Sequence, residues 1–355
     1  MKNLLVAAAL LLCLPCLAQT KVVKKNAVKA NGFGITYVLP RTSLVVNAVV
    51  TKTTRKAGPY YQYAEKYLGV KDAITEDDAN YELGTINLEN KGVPDADNTY
   101  IVDFKSGTLA PFCCLTEDGM LCTINADYVP AEAALDTAKT KKAAAVAVPE
   151  SSVLSEELLM AGSTAKQAEV AARQIYHIRE SRLNIITGDA DNLPPDGKAM
   201  ELVIQQLNAQ EQALTALFIG TTTKETSDYD VTIVPNEDLD KEVIFRFSKK
   251  IGIVGADDLG GAPVYMTLKA IDRAPALDPK EAEKKEKSMK GIIYNVPGKA
   301  SVNISMENKT YFKGEVQVVQ FGTKESLAPS MLEDKKAPVK VYFYPETGAI
   351  KQIIQ

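Results

Sequence analysis

The sequence predicts an α+β protein in which two β-rich modules flank an antiparallel helical hairpin. Residues 32–126 and 229–355 are rich in Val, Ile and Thr, and their apolar and polar side chains alternate as in half-buried strands. Residues 164–218 instead repeat apolar side chains every three or four positions, which is typical of amphipathic helices. At 355 residues, the chain is long enough for more than one domain.

The change of period along the chain divides it into five segments. They are a signal peptide over residues 1–18, an N-terminal β-rich module with a tyrosine-rich helix over residues 19–130, a linker over residues 131–150, a helical hairpin over residues 151–220 and a C-terminal β-rich module over residues 221–355. The linker is rich in Ala and Lys and has no strong period, so it is expected to connect rather than to pack.

Residues 1–18 have the pattern of a cleavable export signal. Lys2 precedes an apolar stretch over residues 4–14, which is too short to span a bilayer, and the segment ends on the small residue Ala18. The mature chain is therefore expected to begin at Gln19. The predicted location is the periplasm or the outer surface of the cell.

The sequence also argues against a lipid anchor, a transmembrane segment and a nucleic-acid partner. Lipoprotein processing needs a small residue directly before the modified Cys, but Leu precedes Cys13 and Pro precedes Cys16, so no lipid anchor is predicted. No later stretch has the roughly 20 apolar residues of a transmembrane helix, so no transmembrane segment is predicted. The formal net charge of −4 argues against a nucleic-acid-binding protein, which needs a basic surface.

The N-terminal module contains a short helix that is crowded with tyrosines. Pro59 suits a first helical turn, and Gly69 suits the position after the last one. The tyrosines between them are Tyr60, Tyr61, Tyr63 and Tyr67. A short helix can bury only some of them, and exposed tyrosines suit a recognition surface. The alternative interpretation is packing in the core and at its rim, since Tyr is intermediate in burial.

Three cysteines remain after the signal segment, on two predicted strands joined by a turn. If the turn has three residues and ends at Gly119, Cys114 lies opposite Cys122, and a disulfide between them suits an oxidising compartment. A two-residue turn would instead place Cys113 diagonal to Cys122, and buried thiols are a further alternative. Because the chain has a single His, no metal site is predicted here.

The helical segment is expected to fold as two helices joined by a short loop. Thr164 is the predicted N-cap of the first helix, with Gln167 in the capping-box position, and Gly188 ends this helix. The second helix is predicted over residues 198–218. Because the loop is short, we expect the two helices to pack antiparallel.

Arginines of the first long helix are candidate binding residues. Arg173 and Arg179 can bind an anionic glycan or a peptide terminus. The alternative is structural: together with Arg182 they can form ion pairs with Glu201 and Glu211 of the second helix.

The two β-rich modules contain similar segments. Gly34-Ile-Thr-Tyr-Val-Leu-Pro40 matches Gly291-Ile-Ile-Tyr-Asn-Val-Pro297 at Gly, Ile, Tyr and Pro. Residues 102–109 also resemble residues 343–350 around a shared Gly. We interpret the modules as copies of one duplicated unit, and the alternative is two independent hairpins with common turn chemistry.

Four motifs together resemble one known family. They are Gly34-Ile-Thr-Tyr37, Gly58-Pro-Tyr-Tyr-Gln-Tyr-Ala-Glu-Lys-Tyr-Leu-Gly69, Ile175-Tyr-His-Ile-Arg-Glu-Ser-Arg-Leu-Asn-Ile-Ile-Thr-Gly-Asp189 and Gly291-Ile-Ile-Tyr-Asn-Val-Pro-Gly298. They are similar to a family of exported Bacteroidetes proteins described only as a domain of unknown function, and the similarity covers essentially the whole mature chain. The resemblance implies an envelope or secreted location, and it carries no activity, cofactor or catalytic residue.

Catalytic motifs are scarce in this sequence. His177 is the single His, and the neighbouring Arg173 and Arg179 oppose the protonation that a general base undergoes. No nucleophile-elbow, zinc-protease or phosphate-loop motif occurs, and no cofactor is predicted. Glycosidase-like chemistry by an Asp/Glu pair stays open, but the 45 acidic residues do not single out a pair.

We therefore predict an exported, non-enzymatic envelope protein that is structural or binds a ligand or protein. The expected partner is an envelope protein or a glycan. The alternative is a secreted hydrolase that acts on glycan or peptide through an Asp/Glu pair. A third hypothesis, a chaperone or assembly factor, predicts an exposed sheet edge that accepts a strand from a partner.

Overall fold

In the computed structural model the protein is β-rich, with three antiparallel sheets and a few helices, in line with the α+β fold class. The structure describes residues 21–24, 34–103, 113–128, 155–190, 197–328, 331 and 339–355. The predicted signal peptide (residues 1–18) and the predicted linker (residues 131–150) lie outside the described residues.

Strands dominate the described part of the chain. They are β1 (Lys21–Lys24), β2 (Gly34–Lys56), β3 (Asp78–Asp103), β4 (Cys113–Leu115), β5 (Leu121–Ile124), β6 (Thr221–Ile233), β7 (Leu239–Ser248), β8 (Gly252–Val254), β9 (Ala262–Asp272), β10 (Ile292–Met306), β11 (Lys309–Leu327), β12 (Lys340–Tyr344) and β13 (Ala349–Ile354). The helices are α1 (Ala64–Leu68), which follows a 3-10 turn (Tyr61–Tyr63), α2 (Glu156–Met160), α3 (Thr164–Thr187), α4 (Lys198–Ile219) and α5 (Pro279–Ser288).

The strands form three sheets. The first sheet has the order β1-β3-β2-β6, the second β11-β10-β9-β7-β8 and the third β13-β12-β5-β4. Strand β6 pairs with β2 although the helical segment separates them in sequence, and β12 pairs with β5. The first and third sheets therefore combine strands from both predicted β-rich modules.

Two apolar cores lie between these sheets. The first core joins the first and second sheets: Leu44, Val46 and Ala48 of β2 pack in one cluster with Val264 and Met266 of β9. These residues alternate along each strand with the two-residue period that places side chains on one face. The second core joins the third sheet to the other ends of β2, β3, β10 and β11. Its members include Tyr37, Tyr100, Ile124, Ile293 and Val341.

Strands β2 and β10 pass from one core into the other at irregular points beside a proline. The register of β2 against β3 shifts between Val38 and Pro40. The register of β10 against β11 shifts between Val296 and Gly298. Such bulges bend a strand and increase its twist, which lets one long strand contribute to both cores.

A matching hydrogen bond lies next to each of these irregular points. The amide of Val38 donates to the carbonyl of Gly119 at 3.0 Å, and the amide of Asn295 donates to the carbonyl of Gly348 at 3.1 Å. Both glycines are in hairpin turns with left-handed φ values of 81° and 69°. The two similar sequence segments thus occupy similar local structures. The second predicted similarity, at residues 102–109, falls largely outside the described residues.

The N-terminus of α3 differs from the predicted one. Ser163 is the N-cap, because its backbone is extended and its side-chain oxygen accepts a hydrogen bond from the amide of Lys166. Thr164 is therefore the first helical residue. The Gln167 side chain donates to the carbonyl of Ala161, so the predicted capping box is wrong.

The C-terminal ends of the helices follow the sequence. Gly69 and Gly188 end α1 and α3 with left-handed φ values of 70° and 82°, which confirms both predicted ends.

The two long helices are buried over only part of their length. The fully buried residues of α3 end at Ile175, and those of α4 begin at Leu214. Among the described residues, no helix is both long and apolar enough to cross a membrane.

Candidate functional site

The tyrosine helix packs against the end of α4. Tyr60 is buried, its ring lies 5.5 Å from the ring of Phe218, and its amide donates to the carbonyl of Leu217 at 2.8 Å. Tyr60 and Phe218 belong to a third apolar cluster, which also contains buried residues of α3. Tyr61, Tyr63 and Tyr67 are half-buried, and the last two pack against this cluster. Packing accounts for Tyr60, and a binding role for the half-buried tyrosines stays a prediction.

The arginines of α3 lie in ion pairs. Arg179 donates to Glu211 of α4 at 2.6 Å, and Arg182 pairs with the other carboxylate oxygen of Glu211. Arg173 pairs with Glu169 on its own helix at 2.8 Å. Burial would raise the pKa of Glu211, but the hydrogen bonds and charges of its two arginines outweigh burial and hold the pKa below its ordinary value. An anion would have to displace these carboxylates, so anion binding by Arg173 and Arg179 stays a prediction.

The cysteine hairpin has a register that the sequence did not predict. The turn ends at Gly119 as expected, but Cys122 is the extra residue of a bulge, so Cys114 lies opposite Thr123. The predicted register, in which Cys114 lies opposite Cys122 and can form a disulfide with it, is therefore wrong. In the described part of the chain no disulfide joins the cysteines, and burial raises the pKa of Cys122 to about 11.

A cleft of about 430 Å³ lies beside this hairpin. Its lining is Cys122, Thr123, Asp127, Tyr128, Tyr342, Phe343, Lys351, Gln352 and Ile354. A thiol with a raised pKa is a poor nucleophile at neutral pH, and Asp127 is the one carboxylate in this lining. The described residues contain no group of three or more His, Cys, Asp or Glu side chains placed to hold a metal ion. We therefore find no catalytic arrangement in the cleft.

The outer edge of β6 is an exposed sheet edge. Strand β6 is the last strand of the first sheet, and it pairs with β2 alone through thirteen successive residues. All ten residues from 221 to 230 are exposed. In the part of the chain that the structure describes, no strand pairs with this edge and no segment buries it. An exposed row of backbone N–H and C=O groups can accept a further strand.

Several features that normally protect a sheet edge are missing from β6. Its ladder with β2 has no register shift, whereas the ladders β2–β3, β10–β11, β9–β10 and β7–β9 each have at least one. The strand contains no Pro and no Gly. Charges are the one protective feature present, and they mix both signs along ten residues. A mixed pattern repels some strands and admits a complementary one.

Side chains hold β6 in place on β2, and three of its four charged side chains form neither an ion pair nor a hydrogen bond with a described residue. The Asn47 side chain donates to Asp230 at 2.8 Å, and the Thr51 and Thr226 hydroxyls lie 3.4 Å apart. Lys224, Glu225 and Asp228 form no ion pair with any described residue. Edge charges without an internal partner are available to another chain.

Sequence reasoning missed this edge. The alternation of Tyr229, Val231 and Ile233 predicted a strand, but residues 221–228 are polar on both faces and gave no periodic signal. The sequence did contain a run of Thr, a β-branched residue that is common in strands. Its position at the edge depends on pairing with β2, which no local pattern shows.

The comparisons with known proteins identify the family of the chain. A family model described as "Domain of unknown function (DUF4831)" matches residues 33–351. No curated protein and no solved structure matches the chain. The family match spans every described helix and includes β6 with its partner β2. The protein therefore belongs to the DUF4831 family, a domain of unknown function.

Proposed function

We propose that the protein is an exported, non-enzymatic envelope protein that binds a partner by adding a strand to the outer edge of β6. The observation that carries this proposal is the exposed, bulge-free edge over residues 221–230. Main-chain hydrogen bonds to such an edge give affinity, and the side chains alongside give specificity. The pattern of residues 1–18 supports export. The one carboxylate in the cleft lining gives no support to a hydrolase.

A photoreactive amino acid placed in living cells tests this proposal. At Thr226, which lies in the middle of the exposed edge, we expect covalent adducts with another protein chain. At Lys269, an exposed side chain on the interior strand β9, no strand can add and we expect none. Adducts at Tyr61 without adducts at Thr226 would move the binding surface to the tyrosine helix. Mass spectrometry of the recovered protein should also find Gln19 as the first residue, and retention of Met1 would contradict export.

We also infer that the two β-rich modules derive from one duplicated unit. The matched segments at residues 34–40 and 291–297 and the equivalent amide-to-glycine hydrogen bonds support this inference. An alignment of family members checks it. Residue preferences at the two segments should correlate position by position across relatives, and unrelated preferences would contradict the duplication.

A further inference from the structure

We propose that the strand added to β6 is β6 of a second copy of this chain, in an antiparallel pair centred on Thr226. This inference rests on the proposed function and names the partner. A twofold axis perpendicular to the first sheet would join two copies edge to edge into one continuous antiparallel sheet. The same axis keeps each face of the sheet continuous across the two copies.

The centre at Thr226 fixes which residues face each other. Across the axis, Thr226 faces its own copy, Glu225 faces Ser227, Lys224 faces Asp228, Thr223 faces Tyr229 and Thr222 faces Asp230. Directly opposed side chains in an antiparallel pair lie about 5 Å apart at Cβ, so opposite charges there attract. The symmetry gives two Lys224–Asp228 pairs in each dimer and opposes no like charges.

Neighbouring symmetric registers are less favourable. A centre at Glu225 would oppose two glutamates, a centre at Lys224 two lysines and a centre at Asp228 two aspartates, and like charges directly opposed are destabilising. A centre at Ser227 would oppose Lys224 to Asp230, whose carboxylate already accepts a hydrogen bond from Asn47. Of the three β6 charges that form neither an ion pair nor a hydrogen bond with a described residue, Lys224 and Asp228 meet in the register centred on Thr226, and Glu225 faces the uncharged Ser227.

The face of β6 that looks toward the first core supports the same pairing. Tyr229 lies opposite the buried Ala48 of β2, so it shares the core-side face of the sheet, yet 41% of it is exposed. In the proposed dimer Tyr229 faces Thr223 of the second copy. An aromatic side chain opposite a β-branched one is a favourable cross-strand pair. The dimer would therefore cover the apolar surface that β6 leaves at the edge of the core.

Charge reversal tests the inference on the purified, full mature chain. Lys224→Asp opposes two aspartates across the axis, and Asp228→Lys opposes two lysines. Each single variant should raise the dissociation constant of the dimer about tenfold or more, measured by sedimentation over a concentration series. The double variant Lys224→Asp/Asp228→Lys restores two opposite-charge pairs and should dissociate within about threefold of the wild type. Both residues are exposed and form no ion pair with described residues, so an unchanged circular dichroism spectrum is the control for folding.

A cysteine variant tests the register independently. Thr226→Cys should form a disulfide between two copies under mild oxidation, because residue 226 faces itself across the axis. The matched Lys269→Cys variant on interior strand β9 should form no disulfide between copies under the same conditions.

Two kinds of result would overturn the inference. One is a double variant that dissociates as readily as the single variants, or single variants that dissociate like the wild type. The other is a wild-type chain that stays monomeric throughout the concentration series. If Thr226 still crosslinks in cells to a different protein, the second copy is wrong as the partner but strand addition at β6 stands. If Thr226 gives no adducts at all, the proposed function itself fails.

Discussion

Gly322→Ala is expected to lower the free energy of unfolding by about 3 kcal/mol. A Cβ at residue 322 would lie 1.9 Å from the carbonyl oxygen of Val296 and 2.7 Å from the Cα of Pro297. Both atoms belong to the backbone of β10, so no side chain can rotate away and the two strands must separate. They would separate at the irregular point where β10 passes between the two cores, which strains both cores together.

Gly162→Ala is the matched control for this variant. A Cβ at residue 162 meets no atom within 4 Å, and its φ is not in the left-handed region. We expect unchanged or slightly higher stability, by at most about 1 kcal/mol, since Ala restricts the unfolded chain more than Gly does. Urea unfolding followed by circular dichroism measures both variants. Equal stabilities would show that β10 and β11 are farther apart at residue 322 than the structure places them.

Tyr37→Phe is expected to lower the free energy of unfolding by about 2–3 kcal/mol. The Tyr37 hydroxyl is buried, accepts a hydrogen bond from the amide of Ile293 at 2.9 Å and donates to the carbonyl of Ile293 at 3.1 Å. Phe would leave both backbone groups buried without a partner, and each carries a desolvation cost. Tyr294→Phe is the control, because Tyr294 occupies the equivalent sequence position in the second module and is only half-buried. Equal losses in the two variants would contradict the role of the Tyr37 hydroxyl.

The same tyrosine predicts how stability changes at high pH. Burial raises the pKa of Tyr37 and of the neighbouring Tyr100 above the ordinary value of about 10. Above that pH the unfolded chain releases protons that the folded chain retains, so the free energy of unfolding falls as pH rises. Tyr37→Phe removes one of these groups, so its stability should fall less steeply above pH 10 than that of the wild type. Urea titrations at several pH values measure the slope.

The sequence predicted features that depend on local chemistry. Gly69 and Gly188 end their helices because only a residue without a Cβ adopts the left-handed conformation at low cost. The error at the start of α3 was one residue, because Ser163 and Thr164 are both good N-caps and the sequence does not say which backbone is extended. The bulge at Cys122 was not predicted for a similar reason. An extra residue in β5 can be recognised only from the way β5 pairs with β4.

Features that depend on pairing between distant strands were not predictable in this way. Residues 221–233 follow the helices directly, so the sequence assigned them to a separate C-terminal module. In the fold they pair with β2, and this pairing creates the candidate edge. The tyrosines drew attention because of their composition, whereas the outer edge of β6 is recognisable only once the order of the strands is known.

The pairing of β6 with β2 also sets the order in which the molecule can fold. Asn47 and Asp230, which share a hydrogen bond across this ladder, are 183 residues apart in the chain. Closing so long a loop delays the pairing, and proteins dominated by such distant contacts fold slowly. A chain that emerges from its N-terminus can form the β2–β3 hairpin early, but β2 keeps one side open until residue 233 has been synthesised. During that interval the open side of the long apolar strand β2 can pair with another chain, which favours aggregation.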